Sequence, residues 1–395
     1  MRRFGRDLVA SAGGAFVYSF ALGIATLVLP LLALAHGYSR ADVGYLTASS
    51  AIAQMGIRTT LGAFMRRYGD WVLVLAAGAL LFASCAVVSF SAAVVPFVLS
   101  ELLQGAARGC FWTGSQTHVV RGGDSGLRRL AVVNVVSSAG QLGGPLAGGV
   151  IAGVSLRGAM VVAAVIAAIG LIPPILLDRL PPFPPTPHDV GVLWIRRGVD
   201  IGSLAGVTAG GWRGLLSSYV PVVLDHAGYS TSLLGGLISA SNAMSIAGAA
   251  AVAWIPARFV VVSMASWIAA TSAGAIAIGP AAGWVGPAAA ALCVGGFGAG
   301  ALQTLGPTVA SDAVGPERRG DAIAAAGTAR ALALFVSPLA VGAALAVMSL
   351  TTAMMATGAL MLAPAALSGH SRPRRPDGAL VPVAEPEPRA APNPG

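Results

Sequence analysis

Five charged side chains lie inside long apolar runs, and these are the places where this sequence could do chemistry. Glu101 is the only carboxylate clearly within such a run, whereas Asp200 and Asp225 stand at the two ends of another, near water. Arg108 and Arg213 fall near the middle of their runs, and Arg58 and Arg330 somewhat nearer one end. A carboxyl taken out of water holds its proton to higher pH, so Glu101 could load and release protons near neutrality. An arginine at the centre of a membrane span costs roughly 2.5–3.5 kcal/mol to insert, so it normally faces a cavity or a partner. There it can hold an anionic group by charge-assisted hydrogen bonds in low dielectric. The structural alternatives stay open: snorkelling or carbonyl capping for the arginines, and partnership with a nearby arginine for Glu101. Tyr18, Trp112, Trp212 and Gln303 could line the same cavity, although aromatics in spans also serve as packing and interfacial anchors.

The elements that must position these groups are membrane-spanning helices. Of the 395 residues 56% are hydrophobic and 10% charged, with a mean hydropathy of +0.78. A soluble domain carries roughly 25% charged residues and could not hide so much apolar side chain. The net charge of +9 comes entirely from arginine. These arginines cluster in short loops, which signals topology rather than a nucleic-acid surface. Cys85, Cys110 and Cys293 lie within apolar runs, are odd in number and have no metal-ligand spacing. The opening Met1-Arg2-Arg3 and its apolar run form a first span, because the run is too long for a signal peptide and lacks a clear cleavage site.

Apolar segments of spanning length fall at about 9–35, 44–65, 71–93, 96–119, 128–153, 158–177, 199–224, 232–255, 259–279, 284–310, 322–348 and 351–368. Twelve crossings put both termini on one side. Eighteen of the 24 arginines fall on that side, only Arg40 and Arg157 fall opposite, and four lie inside spans. The positive-inside rule makes the termini cytoplasmic. All-arginine basicity with abundant Ala and Gly fits a GC-rich bacterial genome, so a bacterial-type plasma membrane is expected. The expected units are a six-helix bundle at 1–177, a Pro-rich cytoplasmic linker at 178–198, a second bundle at 199–368 and a disordered tail at 369–395.

The two halves repeat. Pro30 to Ser39 matches Pro221 to Ser230 without a gap at an offset of 191 residues, which also pairs Gly44 with Gly235 and Ser50 with Ser241. An offset of 193 pairs Gly105 with Gly298 and Pro145-Leu146 with Pro338-Leu339. Two parallel six-helix repeats imply a solute site at their interface near the midplane.

The fifth span reads Gly140-Gln-Leu-Gly-Gly144-Pro145-Leu-Ala-Gly148-Gly149. Five glycines and a proline in ten residues would destabilise a soluble helix, but in lipid the stripe Gly140, Gly144, Gly148 lets another helix pack closely. This stretch resembles the fifth-helix signature of antiporters in the major facilitator superfamily, chiefly the drug/proton branch. Gly62-Ala-Phe-Met-Arg66-Arg67-Tyr68-Gly69-Asp70 is similar to that superfamily's cytoplasmic gating motif at Gly62, Arg67 and Gly69. Its acidic position holds Arg66 and its following basic position Asp70, so the family's gating partners cannot be assumed; an ordinary positive-inside loop is the alternative. Glu101-Leu-Leu-Gln104-Gly105 looks like the fourth-helix antiporter motif at Gln104 and Gly105, with Glu101 where the family has arginine. Arg108 returns to nearly the same helix face about 10.5 Å on, too far for a direct ion pair.

The resemblance covers about residues 8–368 and implies an all-α fold of twelve spans in two parallel six-helix pseudo-repeats. It implies alternating access, with helices one, four, seven and ten around the cavity and two and eleven at the interface. Arg108 and Arg213 would then reach the cavity from opposite halves. The activity implied is proton-coupled export of a small amphipathic or anionic solute, with Glu101 as proton carrier, no cofactor and a monomer as the working unit. A facilitator or uptake carrier is the alternative, favoured by the scarcity of buried carboxylates; a non-transporting sensor of the same fold is a third. Enzyme chemistry finds no support. His36, His118, His188, His226 and His370 show no metal spacing, and no nucleophile stands with a base and a third group.

Overall fold

The computed structural model describes residues 2–91, 93–121, 126–182, 198–256, 259–314 and 319–370. All regular structure among them is helical. The first half comprises α1 (Arg2–Ala35), α2 (Arg40–Arg67), α3 (Asp70–Phe90), α4 (Val94–Arg121), α5 (Gly126–Ala152), α6 (Leu156–Ile169) and the single turn α7 (Ile172–Ile175). The second comprises α8 (Val199–Ser217), α9 (Tyr219–His226), α10 (Thr231–Ala251), α11 (Val260–Ala281), α12 (Val285–Asp312), α13 (Arg319–Ala344), α14 (Leu350–Leu360) and α15 (Ala363–His370).

These fifteen helices make the twelve expected crossings, because three crossings are broken near prolines. The sixth breaks between α6 and α7 ahead of Pro173-Pro174, the seventh at Ser218 ahead of Pro221, and the last between α14 and α15 ahead of Pro364. At the seventh break the Ser217 and Ser218 hydroxyls donate to the carbonyls of Arg213 (2.9 Å) and Gly214 (2.7 Å). Hydrocarbon offers those oxygens no other donor. Among the described residues nine crossings are long and apolar enough to span a bilayer by composition alone. The other three are α2, α4 and α8–α9, and each carries an interior charge: Arg58, Glu101 with Arg108, and Arg213. Most of the expected linker, residues 183–197, and the tail from 371 lie outside the described residues; α15 carries the last helix to His370.

The sequence repeat has a structural cause at each matched position. Gly37 and Gly228 both take the left-handed conformation, with φ of 87° and 84°, that ends α1 and α9. Two residues on, Ser39 and Ser230 cap α2 and α10, their hydroxyls accepting from the amides of Asp42 (3.2 Å) and Leu233 (3.3 Å). Gly44 of α2 lies against the Pro338 carbonyl of α13, and Gly235 of α10 against the Pro145 carbonyl of α5. The two glycines are repeat partners, as are the two prolines, so one contact made twice by a pseudo-two-fold axis closes both seams between the halves. The fourth helices depart from the sequence reading. Gly105 packs on the Ser50 carbonyl and Gly296 on that of Ser241, which keeps the offset at 191; Gly298 instead faces Trp267 and Thr271 of α11.

The glycine stripe of α5 packs on α1, as its spacing predicts. Gly140 and Gly144 rest on the backbone of Phe16 and Phe20, and Gly148 rests on Ile24. Gly149 turns the other way, onto Thr231 and Gly235 of the opposite half. Small residues let these backbones touch, which is the main source of helix affinity in lipid. Gly235→Ala would push a methyl into the α5 backbone, at a cost of about 1–3 kcal/mol. Gly236→Ala would enter open space and change stability by about 0.5 kcal/mol or less. Thermal unfolding in detergent should show a lower midpoint for the first variant only.

Candidate functional site

The closest approaches between the halves lie at the end far from the termini. There Arg40 Nη2 at the start of α2 donates to His226 Nδ1 at the end of α9 (2.8 Å), beyond the two glycine seams. Beside the α5–α10 seam lies a small, water-sized cleft between the halves, lined by residues of α1, α5, α8 and α10, among them Thr26, Gln141, Pro145, Arg213, Ser217 and Asn242.

Arg213 reaches this cleft from α8 and donates to Asn242 Oδ1 of α10 (3.2 Å). Asn242 in turn donates through Nδ2 to the Gln141 carbonyl of α5 (3.0 Å), across the seam. That carbonyl is the one four residues before Pro145, so it has no amide partner in its own helix. Ser239 adds a second bridge, from its hydroxyl to the Leu142 carbonyl (2.7 Å). The residue types of Asn242 and Ser239 gave no sign of this in the sequence, because the carbonyls they serve lie some hundred residues away.

Arg108 is half-buried on α4; its guanidinium donates to Gln104 Oε1 and to Ser50 Oγ of α2 (3.4 Å). Glu101 is 5% exposed. Glu101 and Arg108 make no ion pair, as their seven-residue spacing predicts. Arg330 Nη2 donates to Gln303 Oε1 of α12 (3.0 Å), which leaves Gln303 exposed beside it. Arg58 of α2 comes within 3.9 Å of the space a methyl on Gly327 would fill, so α2 and α13 meet as expected. Among the described residues none of the four arginines meets a carboxylate at ion-pair distance.

Several expected lining residues lie elsewhere. Tyr18 is buried inside the first half, its ring stacked on Phe111 at 3.8 Å, beside a small void lined by α1, α3, α4 and the end of α6. Trp212 is buried against Gly295 of α12, whose missing side chain makes room for the ring. Both are packing residues, because a large ring gains more from filling a bundle interior than from facing a wet cleft. Trp112 is half-buried with its ring edge-on to Phe111 at 5.4 Å. Gln104 is buried and orients Arg108. In the loop resembling the gating motif, Arg66 and Arg67 are exposed, Arg67 lying over its neighbour Tyr68 at 5.6 Å from the ring centre. Gly69 abuts Trp71 and the Leu180 carbonyl, within its own half.

A model of the family described as Major Facilitator Superfamily matches residues 12–338. The chain belongs to that superfamily. It is therefore a multi-pass membrane transporter rather than an enzyme. Among solved structures this major facilitator protein is similar to a variant of the nucleoside transporter NupG, with a TM-score of 0.77 at 11% identity, covering 93% of this chain and all of that one. It is also similar to a bacterial homologue of the human lysosomal transporter Spinster, described as inward-facing and unoccupied, with a TM-score of 0.70 at 13% identity over 93% and 95% of the two chains. At such identities the likeness concerns the fold. No curated protein matches.

Asp70, in the loop that resembles the gating motif, belongs to a different structure. It is fully buried and bonds inward, with Oδ1 facing His118 Nδ1 (3.0 Å) and Oδ2 accepting from Arg121 (3.1 Å). The other ring nitrogen of His118 faces Asp7 Oδ1 (2.9 Å), and Asp7 Oδ2 accepts from Arg129 (2.6 Å). A histidine with a carboxylate at each nitrogen donates from both only as the imidazolium. The amide of Asp178 also donates to Asp7 (3.0 Å). One charge-compensated network therefore ties α1, α3, α4, α5 and the chain after α7 together at the terminal end of the first half. Sequence reasoning set His118 aside for want of metal spacing. The available signal was a histidine and two of the scarce acidic residues, all at the same ends of their spans.

His118→Ala should leave two buried carboxylates facing a void and cost on the order of 3–5 kcal/mol, as removing one partner of a buried ionic network does. Arg6→Ala removes only an exposed 3.5 Å pair with Asp178 and should cost under about 1 kcal/mol. Unfolding midpoints in detergent should separate the two widely. Asn242→Ala strips the Gln141 carbonyl of its donor, a loss of about 1–3 kcal/mol. It should raise the reactivity of a cysteine placed on the α5–α10 seam more than it lowers the melting point.

Proposed function

We propose that the protein is a proton-coupled exporter of a small amphipathic organic anion, working by alternating access as a monomer without a cofactor. The observation that carries this reading is Arg213, which reaches the cleft between the halves and donates there to Asn242 rather than to a carboxylate, while Arg108 and the buried Glu101 stand two turns apart on α4 of the other half. A solute anion bridging the two guanidiniums would gain charge-assisted bonds to both halves at once and draw them together around it. With the termini cytoplasmic, the glycine seams would close the extracellular end, as in a state from which an exporter collects its solute. The direction of transport follows the likeness of the fifth span to antiporters. Glu101 would take the proton, because its carboxyl is buried on the same face of α4 as Arg108, two turns away.

A second reading, co-transport, has one observation in its favour. Ionised Glu101 lies on the face of α4 that carries Arg108 and repels a solute anion there, so protonating it lets proton and anion bind together. The two readings differ in the sign of the proton flux. In proteoliposomes with an acidic lumen, anion added outside should alkalinise the lumen for exchange and acidify it further for co-transport. Glu101→Gln should abolish the proton movement in either case; proton flux that persists in this variant removes Glu101 as the carrier. Arg213→Gln should weaken anion binding by about tenfold or more, the value of one charge-assisted hydrogen bond. Unchanged binding would remove the anion site.

A further inference from the structure

Two of the four interior arginines have no work in the central site. Arg58 stands eight residues after Ser50 on α2, about 12 Å along the helix axis toward the terminal end. Its guanidinium turns to Gly327 of the other half, one turn before Arg330 on α13. A snorkelling arginine would instead follow the lipid-facing surface to the headgroups. Neither guanidinium donates to a backbone carbonyl or pairs with a carboxylate among the described residues, so neither caps a helix break. The backbone of Arg330 is pressed onto Gly206 and Gly210 of α8, one turn before Arg213, and its head is steered by Gln303. Arg58 thus meets the α13 turn that carries Arg330, and Arg330 packs on the α8 turn before Arg213; these three and Arg108 of α4 make an array drawn from both halves.

The charge balance of this array is lopsided. Four permanent cations share one carboxylate, Glu101, in surroundings of low dielectric, where uncompensated like charges are costly. A monoanion at Arg108 and Arg213 would leave the outer pair uncompensated. Resting on the reading that the central site takes an anion, we propose that Arg58, Arg330 and Gln303 form a second anion subsite at its terminal-side mouth, and that the solute is an organic dianion whose two acidic groups are held apart by a spacer. The first group would sit between Arg108 and Arg213, and the second between Arg58 and Arg330. Each subsite takes one arginine from each half, so the solute crosses the seam twice and only a solute of sufficient length fills both.

The test compares binding of α,ω-dicarboxylates of four to twelve carbons with monocarboxylates of matched length to the purified full-length protein. Isothermal calorimetry gives the affinities, and each variant's melting curve confirms its folding. One dicarboxylate length should bind at least about tenfold tighter than its monocarboxylate. Arg58→Gln and Arg330→Gln should each collapse that ratio toward one. Equal affinities for mono- and dicarboxylates at every length would overturn the second subsite while leaving the central anion site standing. So would a dianion preference that survives both variants. Failure of every acid to bind, or monocarboxylate binding untouched by Arg213→Gln, would overturn the central site and this proposal with it.

Discussion

A proline inside a membrane span leaves one carbonyl without a donor, and hydrocarbon supplies none. In this transporter the carbonyl before Pro145 is answered from the opposite half, by Asn242, and the remaining polar contacts of the α5–α10 seam are arranged around that bond. The glycines beside it follow from the same need. Only backbones stripped of Cβ atoms can come close enough for a side chain on α10 to reach a main-chain oxygen on α5. Arg213 is then oriented by the same asparagine, so the guanidinium in the cleft and the bond that holds the seam share one side chain.

The interior charges fall into two populations with different logic. Asp7, Asp70, His118, Arg121 and Arg129 compensate one another within the first half, where four helices and a loop converge. That arrangement ties these elements of the half to one another. Arg58, Arg108, Arg213 and Arg330 lie along the boundary between the halves, and no carboxylate pairs with them among the described residues. Charge settled within a body serves its shape; charge left open at the boundary awaits a partner.

Local patterns made the fold legible. The apolar runs, the arginine asymmetry and the repeat at 191 residues were all visible, and the spacing of Gly140, Gly144 and Gly148 named a close helix contact before α1 was known to make it. Gly37 and Ser39, with their partners Gly228 and Ser230, could be matched as letters, but only backbone angles and cap bonds explain the match. The site was less legible, because its bonds join residues with no common period. Asp7 and His118 are 111 positions apart, and Asn242 and Gln141 are 101 apart. Trp212 and Tyr18 looked like cavity residues because the sequence shows that a ring lies in a span but not which way it turns.

The glycine seams also bear on how such a carrier responds to heat. Where two halves meet through interlocking apolar side chains, parting them exposes hydrocarbon surface and brings a large change in heat capacity. At Gly149 and Gly235 the closest contacts are backbone against backbone, and at Gly44 they are the Tyr219 hydroxyl and the Pro338 carbonyl, so little apolar area is released when they separate. Opening at this end is then governed by dispersion and a few hydrogen bonds, whose strength varies slowly with temperature. A gate of this kind keeps nearly the same balance between its open and closed forms over a broad thermal range.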